Sequence, residues 1–479
     1  MSSITSPDGP EPQRARSAQR ARGGVGSDVD VVVLGAGPAG LGAARALART
    51  GRSVTVLERE AGVGGLAASF EVAGIRVDHG SHRLHPNTDP AVLADLQALL
   101  AGDLQLRPRH GRIRMAGGFV PFPPSPIGVA RNVAPTVTAR LARDLLTAPL
   151  RRGQVDDTFA ARVGHALGPT MLEAFYGPMV TKLFGLPPEL LHGELARRRV
   201  SARRPSDLVR KALRRGPQGN VFWYPRRGYG QIADVLADAA VDAGARIECN
   251  APAQRVDFAR DDVRVVVDGN ELRAGAVWST IPLPVLARLA GGPVVDLRFR
   301  ALVLLYLVVD VGRWSEFDAH YLPERSTPIV RMSEPRNYRT SADDPEGHTV
   351  LCVEWPCWVD DDVWNADPGA LVAQLLPTLA AQGLHVPPPV EVVVRRLPAA
   401  YPCYDIGYDA RLREVESWVH PLAPQLISFG RNGLFAHDNG HHALAMARDA
   451  VACYDPDGSF NVTRWQAARR GFASHVVED

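Results

Sequence analysis

Residues 29–58 read VDVVVLGAGPAGLGAARALARTGRSVTVLE. The β-branched run from Val29 to Leu34 has the composition of a strand buried on both faces. Gly35, Gly37 and Gly40 follow in G-x-G-x-x-G spacing, and an alanine-rich helix runs to about Thr50. A second strand, Ser53 to Leu57, ends at Glu58. Gly35 permits the tight turn, Gly37 lets a pyrophosphate approach the backbone, and Gly40 lets helix and strand pack closely. Pro38 and Ala39 open the helix. Its unsatisfied N–H groups and positive dipole end suit the same anion. Glu58, with Arg59 beside it, stands about 20 residues beyond the glycines, where a carboxylate accepts ribose hydroxyls. A βαβ turn that binds nothing has no need of an acid at that place. The stretch reads as a dinucleotide site on a Rossmann-type α/β sheet.

A second glycine cluster follows at once. Gly62, Gly64, Gly65 and Leu66 lie in AGVGGLAASF, and Asp78, His79, Gly80, Ser81 and His82 lie in DHGSHRLHP. The combination resembles the FAD-binding start of the amine oxidase, protoporphyrinogen oxidase and phytoene desaturase group, and also of UDP-galactopyranose mutase. That resemblance implies FAD as the cofactor. It places Gly64, Gly65 and Leu66 along the pyrophosphate and ribityl chain, leads Gly80, Ser81 and His82 towards the isoalloxazine, and sets Val256 against the cofactor. Read from its residues alone, the second cluster has a plain turn as its less favoured alternative.

The C-terminal segment SFGRNGLFAHDNGHHALAMARDAVAC has a strand ending at Gly430 and Arg431, a loop, and a helix opening near Asn439 to His442. The same superfamilies end this way, with the first helical turn facing the flavin pyrimidine. A helix N-terminus offers N–H donors where negative charge collects on reduction. The resemblance therefore adds Gly430, Arg431, Asn439 and His441 to the cofactor set.

Two further segments carry candidate chemistry. FYGPMVTKLFG, residues 175–185, is similar to an aromatic and lysine segment of the mutase and its relatives. Lys182 is one of two lysines among 54 basic residues, and an ammonium titrates where a guanidinium does not. It is a catalytic candidate, against the alternative of a helix C-terminal lysine. Tyr176 beside it is a substrate candidate. WYPRRGYG, residues 223–230, resembles the lead-in to the helix after the cap in protoporphyrinogen-oxidase-like proteins, with Arg227 where that pattern often has glycine. Arg226, Arg227 and Tyr229 suit an anionic, nucleotide-linked or aromatic ligand; exposed arginines at a helix start are the plainer alternative. His82 and His442 are the general acid–base candidates because imidazole titrates near neutrality. The histidines lack zincin spacing, and no metal site is expected.

Composition bounds the rest. The chain has 479 residues, 46% hydrophobic and 22% charged, which calls for two or three globular domains. A net charge of +2 gives no global case for nucleic acid. No apolar run reaches the ~20 residues of a membrane-spanning helix. Five scattered cysteines without C-x-x-C spacing read as reduced thiols of a cytoplasmic protein. The arginine-over-lysine bias suggests a GC-rich bacterial genome. Residues 197–215 carry nine basic residues and one acid, which suits an anionic membrane surface or a phosphorylated substrate, although a solvated helix face is the favoured reading.

The expected fold is α/β: a Rossmann-type FAD-binding domain, a second domain of antiparallel sheet, and a helical cap. A basic tail covers 1–27. FAD-binding segments cover 28–90, 223–290 and 421–479. The cap and substrate region covers 91–222, with helices over 129–148, 156–167, 169–183, 187–199 and 205–215. The antiparallel-sheet substrate domain covers 291–420. The expected function is an FAD-dependent oxidoreductase that oxidises or desaturates a small molecule by hydride transfer to flavin N5. The alternative is a redox-neutral sugar mutase that uses reduced flavin N5 as nucleophile; a non-catalytic flavin-binding accessory protein is a third.

Overall fold

The computed structural model describes residues 29–477, apart from 123, 125, 152, 154, 201–219 and 261. The basic tail, the expected helix over 205–215 and most of the basic run 197–215 lie outside the described residues.

Val29–Leu34 is the centre of a parallel core. It pairs with Val54–Leu57 on one side and with Asn270–Ser279 on the other, in registers Val31↔Val54 and Val31↔Ala276. Arg246–Glu248 extends the core beyond Val54–Leu57, and Leu426–Ser428 pairs with the end of Asn270–Ser279. Two antiparallel strands, Ala253–Phe258 and Val263–Val267, complete a seven-stranded sheet. A hairpin turns at Asp268-Gly269, and both residues take positive φ. Its second strand does not end with the hairpin pairing. It runs on as one ten-residue strand whose pattern changes from exposed alternation to continuous burial as it passes from the hairpin into the parallel core.

Helices Pro38–Ala48, Gln231–Asp242 and Gly440–Val451 cover one face, packing Leu41, Ala44, Leu47, Leu236 and Met446 against Val31 and Val33. Helix Pro90–Leu100 joins this core through Leu96 and Leu100. Small residues set the close approach. A Cβ on Gly40 would sit 1.9 Å from the Gly35 carbonyl oxygen, so no other residue fits where the helix crosses the turn.

The second sheet runs Glu391–Pro402, Phe299–Val309, Thr349–Cys357, Arg331–Ser333, Ala319–Tyr321, Gly111–Met115 and Gly118–Phe122. All of its pairings are antiparallel except Ala319–Tyr321 with Gly111–Met115. Phe299–Val309 is apolar without alternation because both of its faces are covered. Val303, Leu305 and Leu307 meet Leu371, Leu375 and Leu379 of helix Pro368–Ala380, while Leu302, Leu304 and Tyr306 meet Val72, Ile75 and Val77 of a two-stranded hairpin. The hairpin at 111–122 turns at Ala116 and Gly117, one residue earlier than its Gly-Gly pair suggests.

The cap is helical. Its first expected helix is two, Pro126–Asn132 and Pro135–Thr147, because Pro135 restarts the backbone as an N1 residue. Residues 169–184 are continuously helical, with a π turn over Leu172–Tyr176. A Cβ on Gly177 would lie 2.7 Å from the Leu172 carbonyl oxygen, so a glycine closes the widened turn. Among the described residues, no helix is long and apolar enough to cross a membrane.

Candidate active site

One cavity of about 1910 Å³ runs from the carboxyl ends of the parallel strands into the space between the two sheets and the cap. Its first end is the loop after Val29–Leu34. Gly35 has φ +98°, and Gly37 caps helix Pro38–Ala48, which has Pro38 at N1 and no acid in its first turn. Gly64 has φ +107° and donates its N–H to the Ala36 carbonyl, so the second glycine cluster folds over the first. Gly37 and Gly65 face each other across bare backbone. A Cβ on Gly65 would lie 3.7 Å from the Gly37 Cα, and one on Gly37 would meet nothing nearer than the Gly64 carbonyl oxygen at 4.0 Å. This is a cradle that side chains would fill, and its donors point at the anion expected there. Glu58 is 7% exposed and closes the same end. Its carboxylate accepts N–H groups from Ala36 at 2.8 Å and Glu60 at 3.0 Å.

The middle of the cavity joins three loops. Asp78 accepts from Ser69 Oγ at 2.6 Å, from the Tyr224 hydroxyl at 2.5 Å and from the Tyr229 N–H at 2.9 Å, which fixes the start of the His79–His82 loop. Gly80, at φ +93°, packs its Cα against Glu354. Glu354 is 1% exposed, accepts both guanidinium contacts of Arg331 at 2.8 Å, and accepts the Ser81 N–H at 2.8 Å. Burial works against the charge of Arg331, and the Glu354 carboxylate more than offsets it, holding the guanidinium well above its ordinary range. Arg83 reaches Asp318 at 3.0 Å and Tyr321 at 2.8 Å. Gly430, at φ +80°, lets the C-terminal loop pass Ala39, whose Cβ would be 2.9 Å from a side chain there. Asn439 then caps helix Gly440–Val451 in a reciprocal box with His442.

The far wall is apolar. Ile113, Met115 and Val120 come from the second sheet, and Met171, Phe175 and Met179 from the cap. The π turn brings Phe175 and Tyr176 to this wall.

Of the residues singled out from the sequence, Gly35, Gly37, Pro38, Ala39, Glu58, Arg59, Gly65, Leu66, Ser81, His82, Gly430, Arg431, Asn439, Tyr176 and Tyr229 all line this cavity. Gly40, Gly64 and Gly80 sit just behind it as backbone supports. His82 stacks on Tyr229 with ring centroids 5.1 Å apart, and burial lowers its pKa, so it is a neutral imidazole at the cavity wall.

Other expectations are corrected. Lys182 does not line the cavity. Its ammonium donates to the carbonyls of Leu322 and, at 2.8 Å, Ile329, with Thr327 Oγ1 at 3.4 Å, so it ties the cap helix to the second sheet's loop. Burial pushes it down to about 7, against the pull of Glu324. His441 and His442 turn away from the cavity, and burial takes His442 down to about 4 and His441 to about 3. His442 accepts the Asn439 N–H at 3.2 Å. Arg226 pairs with Asp103 at 2.9 Å and Asp343 at 3.2 Å, and Arg227 is exposed, so neither faces a ligand. Val256 is buried in the sheet; Ala251, Pro252 and Ala253 take its expected place at the cavity.

Sequence reasoning missed Arg83, Arg331, Glu354 and the Thr280–Ile281 strand end. The signals were there. Glu354 interrupts the apolar run VLCVEWPC, and a lone acid in a buried strand needs a partner. Thr280 follows the carboxyl end of a parallel strand, where open α/β sheets bind ligands.

This fold and cradle define a dinucleotide-binding flavoprotein of two domains with a cap. Comparison with known proteins gives its family. Residues 38–442 match the model of flavin containing amine oxidoreductases, and the chain belongs to that family. FAD is its cofactor, and the cradle fits it. The chain is 30% identical over 305 residues to phytoene dehydrogenase of Streptomyces griseus, covering 54% of this chain and 56% of that protein. It is 48% identical over 67 residues to putrescine oxidase of Kocuria rosea, 14% of each. The match to the first of these spans just over half its length. Among solved structures, reduced UDP-galactopyranose mutase superposes with a TM-score of 0.76 at 20% identity, covering 94% of this chain and 100% of that one. That likeness is one of fold.

Proposed function

We propose that this protein is an FAD-dependent oxidoreductase that removes a hydride from a largely apolar small molecule. The observation that carries the reading is the far wall, where Ile113, Met115, Val120, Met171 and Phe175 face the cavity that begins at the dinucleotide cradle. A hydrocarbon-rich substrate gains roughly 25 cal/mol for each Å² of apolar surface placed there. FAD, when bound, supplies the hydride acceptor and the electron sink. The chain's own groups bind, orient and exclude water. Neutral His82 on Tyr229 is positioned to take the proton that leaves with the hydride. The N-terminus of helix Gly440–Val451 faces the cavity through Asn439 and Gly440, where negative charge is stabilised.

The mutase reading needs cations available to a nucleotide diphosphate. Two cations on the wall, Arg83 and Arg331, are committed to Asp318 and Glu354, but Arg288 and Arg395 also line the cavity, so it is the apolar far wall that favours the oxidoreductase. The test is anaerobic. Holoenzyme mixed with a panel of polyenes, other hydrocarbon-rich substrates and long-chain amines should lose its flavin absorbance with one member of the panel and no added reductant. A protein that bleaches with none of them, yet turns over UDP-galactopyranose after reduction with dithionite, is a mutase and refutes the proposal.

A further inference from the structure

A buried cluster lies behind the loop that leads into helix Gly440–Val451. Asp438 is fully buried, with a side-chain exposure of 0%. Among the described residues, neither of its carboxylate oxygens accepts a hydrogen bond. Its Oδ1 lies 3.5 Å from His442 Nδ1 and 3.4 Å from His475 Nδ1. The His475 Nδ1 is buried and likewise makes no hydrogen bond. Two imidazole nitrogens and one carboxylate oxygen therefore converge from two separate segments of the chain.

Those separations match a coordination polyhedron. Metal–nitrogen and metal–oxygen bonds of about 2.0–2.1 Å in a tetrahedron place neighbouring donors about 3.3–3.4 Å apart. Two histidines and one carboxylate are a donor set that suits zinc and related divalent transition metals. A buried carboxylate with no hydrogen-bond donor is costly. The nearest arginine contact is a long one: Arg198 Nη1, itself without a hydrogen bond, lies 3.9 Å from Asp438, while its Nε pairs with Glu194 at 3.0 Å. The rings of His442 and His475 lie nearly parallel, 13° apart, so one must turn about its Cβ–Cγ bond to aim at a shared ion. The His442 Nδ1 would exchange the Asn439 N–H for that ion.

We propose that Asp438, His442 and His475 form a binding site for a zinc-class divalent ion, with water completing the tetrahedron. The ion fastens the chain's C-terminal segment to the helix start that faces the cavity. That segment already leans on the cap helix, where the Val477 N–H donates to the Arg198 carbonyl at 2.9 Å. The sequence alone conceals the site because His475 lies far from the Asp438 and His442 pair and follows no ligand spacing. This reading does not depend on the reaction proposed above.

The test uses the full-length protein without a histidine tag, stripped with a chelator and titrated with zinc or cobalt(II). Wild type should bind one equivalent and melt at a higher temperature with zinc. Cobalt(II) should give the visible bands of a tetrahedral site at wavelengths beyond the flavin's. His475→Gln, near the C-terminus and confirmed as folded by circular dichroism, should lose at least about tenfold in affinity together with the zinc-dependent melting shift. Asp438→Asn should do the same, and His441→Gln should bind as wild type. Wild type that binds no zinc above a buffer blank, or His475→Gln that binds as tightly as wild type, overturns the proposal.

Discussion

Replacing Lys182 with methionine separates a cap clamp from a catalytic cation. The ammonium meets two carbonyls and a hydroxyl at the junction of cap and second sheet, away from the cavity. Burial lowers it from 10.5 to about 7. Between those values the unfolded chain binds more protons at this site than the native one, so stability rises with pH across the window. A full pKa unit corresponds to ~1.4 kcal/mol and the native amine is half charged at pH 7, so this one side chain makes the protein roughly 2 kcal/mol more stable at pH 9 than at pH 7. Below about 7 the amine is charged in both states and contributes no further slope. Lys182→Met removes the titration and flattens the rise by that amount. It also strands the Leu322 carbonyl, at about 1–3 kcal/mol, while the Ile329 carbonyl keeps the Thr327 hydroxyl at 3.2 Å. The assay is a set of melting curves for both proteins from pH 7 to about 9, with flavin content and single-turnover rate measured on the same samples. The slope should fall in the variant while the rate per bound flavin stays within about threefold. Parallel slopes refute the clamp, and a tenfold loss of rate in a variant that melts like wild type restores the catalytic assignment.

Four other outcomes follow from the cradle and its frame. Gly40→Ala should fail to fold or lose FAD outright, because its Cβ would lie 1.9 Å from the Gly35 carbonyl oxygen. Gly37→Ala should fold and weaken FAD retention only, since its Cβ enters the cradle; an apoprotein destabilised as much as that of Gly40→Ala would contradict this. Glu58→Ala should lower both FAD affinity and apoprotein stability, by about 1–3 kcal/mol for each of the two backbone N–H groups it orphans, as apoprotein melts and FAD titration will show. Glu354→Gln should destabilise by about 3 kcal/mol because it leaves the Arg331 guanidinium buried and half-paired. A melting temperature equal to wild type would show that the pair is not needed.

The sequence made the cradle legible because every part of it is local. Strand, glycine spacing, helix and acid fall within thirty residues, and each has one steric or electrostatic reason to be there. The long buried strand Phe299–Val309 was legible by its apolar run from Ala301 to Val309, which marks a strand covered on both faces. Lys182 misled for an equally physical reason. Rarity marked it, but direction decides a helical side chain's use, and Tyr176, Met179 and Leu183 take the cavity-facing stripe of that helix while Lys182 falls on its flank. Arg226 misled because the carboxylates that occupy it, Asp103 and Asp343, lie far away in the chain. Glu354 escaped notice for the same cause, since its partners are Arg331 and the backbone of Ser81.

The acids around the cavity share one device. Glu58 accepts the Ala36 N–H inside the first glycine loop, Asp78 accepts the Tyr229 N–H at the lead-in to helix Gln231–Asp242, and Glu354 accepts the Ser81 N–H in the histidine loop. Glu58 and Asp78 lie at strand ends and Glu354 within a strand, and each holds a loop contributed by another segment. A glycine-rich loop left to itself is conformationally broad, and the entropy of ordering it would otherwise be charged to cofactor binding. A buried charge-assisted bond, worth about 1.5–3 kcal/mol, is enough to settle most of that ordering during folding. The acids thus act first on the backbone and only then, in Glu58, on a ligand. It follows that amide substitutions at Asp78 and Glu354, neither of which is expected to touch FAD, should slow FAD association more than they speed its release, because they broaden the loops that FAD must find in place. Stopped-flow binding of FAD to the apoproteins measures both rates. A change confined to release would mean that these carboxylates hold the bound cofactor and do not prepare its site.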